Sequence, residues 1–195
     1  MRHKYETRGI VLARAGAGEN HAQLAILTAD LGLLRARATG VRHTKSKLAH
    51  ALVTFAQSEL TLVAGREGWR VTGAVLEQNW FVRLASTDAR RRAARVTGLL
   101  LRLSPGEAPE AALYPVVTGF FEALGGDTPE SHEGAELVAA SSILAVLGFD
   151  SSAAEPGAGE DPAIAAFSSD DLAQVLGERE RYIARINRGI EASGL

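Results

Sequence analysis

The hydrophobic pattern of this chain changes once, near Gln78, and that change limits the folds that the chain can adopt. Before Gln78, apolar residues alternate with polar ones along short segments, which is the period of β-strands. After it, apolar residues recur at the spacing of α-helices that bury one face. We therefore predict an α+β protein with two domains, a β-barrel over residues 1–80 and a helical domain over residues 81–195.

Five segments of the first part have the length and composition of strands. They are Thr7–Arg14, Ala22–Thr28, Leu33–Val41, Ser58–Val63 and Trp69–Leu76. Five short strands in this span favour a small closed barrel. In the fifth strand, we expect Trp69, Val71 and Val75 to share one side. The segment Lys47–Ala56 is compatible with a short helix or with the start of a strand, and both interpretations stay open.

The second part begins with three predicted helices. The first spans Thr87–Leu103 and the second spans Glu110–Leu124, where Pro115 marks either a kink or the start of the helix. The third begins after Thr128, an N-cap that is followed by proline, and ends at Gly148.

A loop and a last helix complete the prediction. Ser151–Asp161 (SSAAEPGAGED) has the composition of a flexible loop. Ser168–Asp171 supplies an N-cap for one final helix. The apolar stripe of that helix consists of Leu172, Leu176, Ile183, Ile186 and Ile190. The helical domain is therefore expected to be a bundle.

The charges of the chain divide between its two halves. Residues 1–103 carry 17 Lys and Arg against 7 Asp and Glu, whereas residues 104–195 carry 4 against 16. One basic segment, residues 35–47 (RARATGVRHTKSK), contains no acid. Its cations are Arg35, Arg37, Arg42, Lys45 and Lys47. A nucleic-acid partner is expected for such a surface, because cations that neutralise phosphates release condensed counterions.

The basic segment coincides with the third predicted strand and the loop that follows it. Arg35 and Arg37 fall on one face of the strand, opposite Leu34, Ala36 and Ala38. Together with the cations of the loop, they would line a groove that follows a phosphate backbone. The alternative is a solvated strand face followed by a soluble loop.

Two further groups have more than one interpretation. Tyr5, Phe55 and Trp69 either stack on unpaired bases or fill the barrel interior, and the interior is favoured for Phe55 and Trp69. Arg90–Arg92 and Arg95 form a basic helix face. That face is either simply solvated, an extension of the DNA-binding groove, or a docking site for an acidic peptide.

Catalytic and metal-binding motifs find no support. The five histidines form no His-Glu-x-x-His pattern, and Gly16-Ala17-Gly18 lacks the third glycine of a dinucleotide loop. Asp170 and Asp171 fit a helix cap better than an acid–base pair. The chain has no cysteine, which excludes thiolate zinc sites and disulfides. We predict no enzyme, no catalytic residue, no metal and no cofactor.

The same composition bears on location. No stretch approaches the roughly 18 apolar residues that span a membrane. The N-terminus lacks the apolar core and cleavage site of a secretory signal. Because disulfides are absent as well, we expect a cytoplasmic protein.

The first 80 residues resemble the N-terminal part of the RecO family of bacterial recombination mediators. The resemblance depends on the order and spacing of several short pieces. These are Thr7–Leu12, Gly18-Glu19, Leu27-Thr28, Leu31-Gly32, Ala38–Arg42, Ser46–Leu48, Leu52, Gly65 and Trp69–Val71. The helical part agrees with this family in architecture.

This resemblance implies an OB-fold barrel that binds single- and double-stranded DNA and promotes strand annealing. It also implies partners: RecR, with which such proteins load RecA, and the acidic tail of single-strand binding protein, which the helical domain recognises. A nucleoid-associated location follows. The basic barrel face of the family matches Arg35, Arg37, Arg42, Lys45 and Lys47. Our predicted DNA-binding set also includes Arg70, Arg91 and Arg95. Many relatives carry a four-cysteine zinc ribbon, which a chain without cysteine lacks.

Two other functional hypotheses remain open at this point. In the first, the protein is an interaction adaptor whose basic barrel holds an acidic protein. In the second, which has less support, it is a phosphate-handling enzyme. DNA affinity in a purified sample distinguishes the leading hypothesis from the adaptor, and a screen for nuclease and phosphatase activity tests the enzyme.

Overall fold

The computed structural model describes residues 3–16, 21–39, 47–126, 128–150 and 167–195. The chain divides into two compact units. The first contains residues 1–83 and 106–111, and the second contains residues 84–105 and 112–195. The boundary that we predict at residue 80 does not anticipate the short segment 106–111, which belongs to the first unit.

The first unit is a closed barrel of five strands in the order β1-β2-β3-β5-β4. The strands are β1 (Lys4–Gly16), β2 (His21–Thr28), β3 (Gly32–Thr39), β4 (Ala56–Gly65) and β5 (Gly68–Asn79). All neighbours are antiparallel except β3 and β5, which run parallel over three residue pairs. The predicted OB-fold barrel, followed by helices, is thereby confirmed.

Strand β1 is long enough to pair with two neighbours. Its first part pairs with β4 and its second part with β2, and the two ladders overlap at Gly9 and Ile10. A Cβ atom on Gly9 would lie 2.6 Å from Leu60 Cδ1 and 2.9 Å from Ile26 Cγ2. Glycine therefore lets β1 pass between its two partners without displacing the side chains of the barrel interior.

The barrel interior is filled by side chains from every strand. The fully or nearly fully buried set is Val11, Ala22, Leu24, Ile26, Leu34, Ala36, Ala38, Leu52, Leu60, Leu62 and Val71. The predicted alternation of β3 holds, because its alanines point inward and Arg37 is exposed. Burying this apolar surface supplies most of the stabilisation of the unit.

The prediction for β5 is wrong at Val75, which is 65% exposed. Trp69 and Val71 do face the interior. Between Val71 and Gly73, however, the register with β4 shifts by one residue, since Val71 pairs with Leu62 and Gly73 with Thr61. Such a bulge reverses the inside–outside alternation beyond it. Ala74 consequently packs against the core and Val75 points outward.

The segment that the sequence left open begins as a helix. Helix α1 spans Lys47–Ala51, and β4 starts at Ala56. Between them, Phe55 has φ 66°, an unusual conformation for a residue with a side chain. Its backbone N–H donates to the Val11 carbonyl and its carbonyl accepts from the Trp80 N–H. Phe55 is 6% exposed, so its predicted role in the core is confirmed.

The short segment 106–111 adds one further rung to the barrel unit. Ala108 forms an antiparallel bridge with Leu33, with N–O distances of 2.8 and 2.9 Å. The neighbouring Gly32 has φ +67°, and a Cβ atom there would lie 2.2 Å from the Ala108 carbonyl oxygen. Glycine at position 32 therefore permits both the backbone turn and this close approach.

One short helix, α2 (Trp80–Arg83), ends the main part of the barrel unit. The second unit contains α3 (Thr87–Leu103), α4 (Leu113–Leu124), α5 (Pro129–Val146), α6 (Ser169–Gly177) and α7 (Arg179–Ser193). Helix α5 contacts α3, α4, α6 and α7 and is therefore the centre of the bundle. The predicted loop Ser151–Asp161 lies outside the described residues.

Local end signals account for several of these helix bounds. Thr128 caps α5 by accepting from Ser131 N, and Gly148 follows its end with φ +79°. Pro115 lies in the first turn of α4, where a missing N–H costs no helical hydrogen bond. It therefore marks the start of that helix and not a kink.

The single final helix that we predict is two helices. Ser168 caps α6 as expected by accepting from Asp171 N, so the interpretation of Asp170 and Asp171 as part of a cap is confirmed. The chain leaves the helical path at Glu178, and α7 begins at Arg179. Both helices pack on α5.

Candidate nucleic-acid interface

The outer face of β3 and the first residues of β5 bring two predicted cations together. Arg37 is directly opposite Arg70 in the parallel register of these strands. Both side chains are exposed. Neighbouring strands lie about 4.8 Å apart, and like charges directly opposite each other destabilise a sheet. An arrangement that costs stability on a solvent-exposed face is typical of a surface that binds an anion.

One acid partly offsets this pair of cations. Arg37 Nη1 lies 3.6 Å from Glu67 Oε2 in the hairpin between β4 and β5. Both side chains are more than half exposed, so the interaction is weak and easily exchanged. A phosphate group could replace the Glu67 carboxylate without leaving a buried charge behind.

The same hairpin borders a surface hollow of about 700 Å³. Its polar lining includes Arg66, Arg70, Glu67 and Thr72. Gly68, with φ +88°, allows the tight turn that places Arg66 beside the start of β5. Arg66 was not in our predicted set. The signal in the sequence was its place in a glycine-flanked hairpin between two strands.

The other predicted cations of the barrel part are Arg35, Arg42, Lys45 and Lys47. Arg35 shares the outer face of β3 and is half-buried. Arg42 and Lys45 lie outside the described residues. Lys47 is the first residue of α1, and nothing is described of its side chain. Their part in DNA binding remains a prediction.

Arg91 and Arg95 belong to the helical unit, on α3. Arg91 is exposed. Arg95 makes two hydrogen bonds of 2.6 Å to the Glu136 carboxylate on α5. The pKa of Arg95 is raised because its guanidinium donates to Glu136. The charge of Arg95 is thus already matched within the helical unit.

Arg92, one position from Arg91, extends this ion-pair network. It donates to Asp88 at 2.7 Å and to Glu136 at 2.6 Å. The hydrogen bond from Arg92 lowers the pKa of the Asp88 carboxyl below its usual value. The predicted basic face of α3 is therefore in part a structural connection between α3 and α5.

The predicted aromatic group separates into two environments. Phe55 is buried, as described above. Tyr5 is 38% exposed, and its ring meets that of Trp69 edge to face with centroids 5.2 Å apart. Trp69 packs against the barrel core and is itself only partly buried. Trp69 immediately precedes Arg70 on β5, so the ring and the cation point to opposite faces of the strand.

The helical unit contains a groove that the sequence patterns do not predict. The groove has a volume of about 320 Å³ and lies between α3, α5 and α7. Its apolar walls are formed by Val96, Leu99, Leu137, Ala140, Ile183, Ile186 and Ile190. Arg95, Arg102, Glu136 and Asn187 supply its polar atoms. The available signal was the isoleucine stripe of α7, whose members are only partly buried.

The described ranges contain neither a metal-binding cluster nor a membrane-spanning helix. No three His, Asp or Glu side chains there are grouped closely enough to hold a metal ion. Among the same residues, no helix combines the length and apolar character that crossing a bilayer requires.

The barrel and part of the helical unit are similar in sequence to known proteins. Residues 1–79 match the family described as "Recombination protein O N terminal". A protein of Dehalococcoides mccartyi named DNA repair protein RecO is 33% identical over 126 residues, which are 65% of this chain and 50% of the relative. The protein of the same name in a second strain is 32% identical over 129 residues, 66% of this chain and 51% of the relative.

A relative from another organism gives a shorter match. The DNA repair protein RecO of Bifidobacterium adolescentis is 42% identical over 62 residues, 32% of this chain and 25% of the relative. The chain spans about half the length of the Dehalococcoides relatives. The barrel topology, the matched N-terminal region and the agreement among these relatives lead to one conclusion: residues 1–79 are similar to the N-terminal part of the RecO family, and the similarity to DNA repair proteins RecO extends over 65–66% of the chain.

Proposed function

We propose that this protein is a DNA-binding mediator of recombinational repair that performs no chemical step of its own. The observation that carries this proposal is the Arg37–Arg70 pair on an exposed barrel face, beside a hollow bordered by Arg66. Cations placed this way fit a phosphate backbone. An OB-fold binds oligonucleotides on the face of its second and third strands and at the loop between its fourth and fifth strands, and these include the strand of Arg37 and the hairpin of Arg66. The name of the relatives, DNA repair protein, points to the same partner.

The proposed activities follow from strand binding. The basic face holds single- and double-stranded DNA, reduces the repulsion between two strands, and so promotes annealing of complementary strands. With RecR, the protein loads RecA onto DNA that single-strand binding protein covers. The site of action is the nucleoid in the cytoplasm. No step of this scheme requires a metal or cofactor.

A salt-titrated binding measurement tests the DNA-binding part. Fluorescence anisotropy with labelled single-stranded and duplex DNA should show affinity that falls steeply with salt. Arg37→Glu and Arg70→Glu should each weaken binding to all sequences and reduce the salt slope by about one. Arg181→Glu changes the net charge equally on an exposed helix face of the other unit, and serves as the matched control.

Several results would contradict the proposal. Absence of DNA affinity at low salt excludes it outright. If an acidic protein is then recovered by the purified chain after nuclease treatment, the adaptor hypothesis replaces it. If Arg181→Glu weakens binding as much as Arg70→Glu, the effect comes from net charge and not from this face.

We further propose that the groove of the helical unit receives the acidic tail of single-strand binding protein. The support is chemical complementarity, because apolar walls and the exposed Arg102 fit a peptide that combines apolar and acidic residues. Arg102→Glu should weaken binding of a labelled tail peptide by about tenfold or more. Arg181→Glu again provides the control, and equal peptide affinity in both variants would exclude this groove.

A further inference from the structure

Two aromatic rings, Tyr5 and Trp69, lie at one end of the barrel. Binding of DNA through its phosphates alone would not use them. Tyr5 is opposite Leu62, and Trp69 is opposite Ala64, so both flank the same face of β4. Leu62 is fully buried, which identifies that face as the interior one. Tyr5 and Trp69 therefore cover the end of the barrel core, next to the hairpin that joins β4 to β5.

These rings are incompletely covered for residues that only close a core. Tyr5 is 38% exposed, and Trp69 is only partly buried against the core cluster. Their planes meet at 70°, so they do not stack on each other. An edge-to-face contact occupies at most one face of each ring. Aromatic surface is left open to solvent at the rim.

The open rings and the cations are arranged for one ligand. Trp69 is opposite Ala36, and the next residue pair in register is Arg37 with Arg70. Successive side chains of a strand point to opposite faces, about 3.3 Å apart along the chain. The cations therefore point to the outer surface, whereas Trp69, in the preceding residue pair, points to the core side, so the two groups share only the rim of the barrel. A nucleotide presents a phosphate and a base together, which matches this combination.

We propose that Tyr5 and Trp69 form a base-stacking platform, which makes the strand-binding face prefer unpaired over paired DNA. This inference rests on the proposed DNA binding. Stacking is available only to a base that has left the duplex stack, whereas the cations contact phosphates of either form. The platform thus supplies the discrimination that the cations lack. Replacing one stacking ring by alanine typically weakens single-strand binding by about fivefold to a hundredfold.

Intrinsic fluorescence can observe Trp69 directly. The chain contains two tryptophans, and the other, Trp80, is 3% exposed with its indole N–H donating to Gln57 Oε1. The Trp80→Phe variant leaves Trp69 as the sole tryptophan reporter. Oligothymidylate should quench its emission, while an abasic oligonucleotide of equal length, which retains the phosphates, should bind without quenching.

Affinity measurements on Tyr5 variants complete the test and do not depend on the fluorescence variant. Tyr5→Ala should lose at least fivefold in affinity for oligothymidylate, yet change by less than twofold for duplex and abasic DNA. Tyr5→Phe should retain wild-type affinity, because stacking needs the ring and not the hydroxyl. Thermal unfolding of each variant verifies that the barrel is intact.

The outcomes separate this inference from the one on which it rests. If the wild type binds none of the three DNAs, the proposed DNA binding fails first. If it binds all three and Tyr5→Ala weakens them equally, the platform is overturned while DNA binding stands. Unchanged Trp69 emission at saturating oligothymidylate also overturns it.

Discussion

Arginine has opposite surroundings in the two units of this protein. On the barrel, Arg37 and Arg70 are exposed and adjacent to each other. In the helical unit, Arg92 and Arg95 are held by Glu136, Arg179 by Glu133, and Arg185 by Asp150. The first arrangement leaves charge available for a ligand, and the second uses charge to join helices. The same residue type is therefore left open to a ligand at Arg37 and Arg70 and joins helices in these ion pairs of the other unit.

This contrast refines what the division of charge along the sequence means. The barrel unit holds 12 Lys and Arg against 8 Asp and Glu, and the helical unit holds 9 against 15. The basic half of the sequence ends within α3, whose cations meet an acid of α5 inside one unit. Part of the apparent excess of positive charge is thus neutralised by folding.

The largest effect is expected at the centre of the helical ion pairs. Glu136→Gln removes the charge that faces both Arg92 and Arg95. Because Glu136 and Arg92 are less than one fifth exposed, the loss should lower the free energy of unfolding by about 2 kcal/mol. Urea unfolding followed by far-ultraviolet circular dichroism would measure it.

The matched control for that change is Glu133→Gln. Glu133 pairs with Arg179 at 2.7 Å, but Arg179 is 53% exposed. Removal of this pair should cost less than about 0.5 kcal/mol. Equal destabilisation by the two variants would show that burial does not distinguish these ion pairs, contrary to the comparison above.

A smaller effect of opposite sign is expected on the barrel. Arg70→Glu replaces a like-charge neighbour of Arg37 by an opposite charge. The free energy of unfolding should rise by about 0.2–1 kcal/mol while DNA affinity falls. Tryptophan emission during urea unfolding reports the barrel, since both tryptophans belong to it. Parallel loss of stability and affinity would mean that Arg70 stabilises the barrel.

The smallest effect concerns pH and Asp88. Its carboxyl has a lowered pKa in the folded state, because Arg92 donates to it. A lowered pKa contributes stability above the unfolded value of about 3.9, and this contribution is lost as pH falls through the folded value. Asp88 is 43% exposed, so the contribution is about 0.5 kcal/mol or less.

Comparison with Asp88→Asn separates the stability contribution of the Asp88 carboxyl from that of other groups nearby, including the buried His132. The stability difference between wild type and variant should be present at pH 7 and vanish once the pH has fallen below the lowered pKa of Asp88. A difference that persists unchanged at low pH would show that the Arg92 hydrogen bond does not depend on the charge of residue 88.

The sequence predicted strand faces and helix starts well, because local signals determine them. The alternation of β3 identified Arg37 as outward-facing, and Thr128 and Ser168 marked helix starts, because these features depend on a few neighbouring residues. The aromatic residue Phe55 was assigned correctly to the core. Periodicity and capping are sufficient where the chain obeys one regular repeat.

Features that depend on distant partners could not be predicted. The bulge that exposes Val75 arises from pairing with β4, and the Arg95–Glu136 pair joins residues 41 positions apart. The juxtaposition of Arg37 and Arg70 likewise requires the parallel closure of the barrel. Local sequence patterns do not determine which residues of distant strands or helices lie opposite each other.

The bridge between Leu33 and Ala108 has a consequence for synthesis of the chain. The fifth strand of the barrel ends at Asn79, but the partner of Leu33 is made roughly 30 residues later, after all of α3. At ribosomal rates, this interval lasts about 1.5–6 s. During it, the nascent barrel has all its strands but not its final rung. The order of translation thus makes α3 emerge before the barrel unit can be completed.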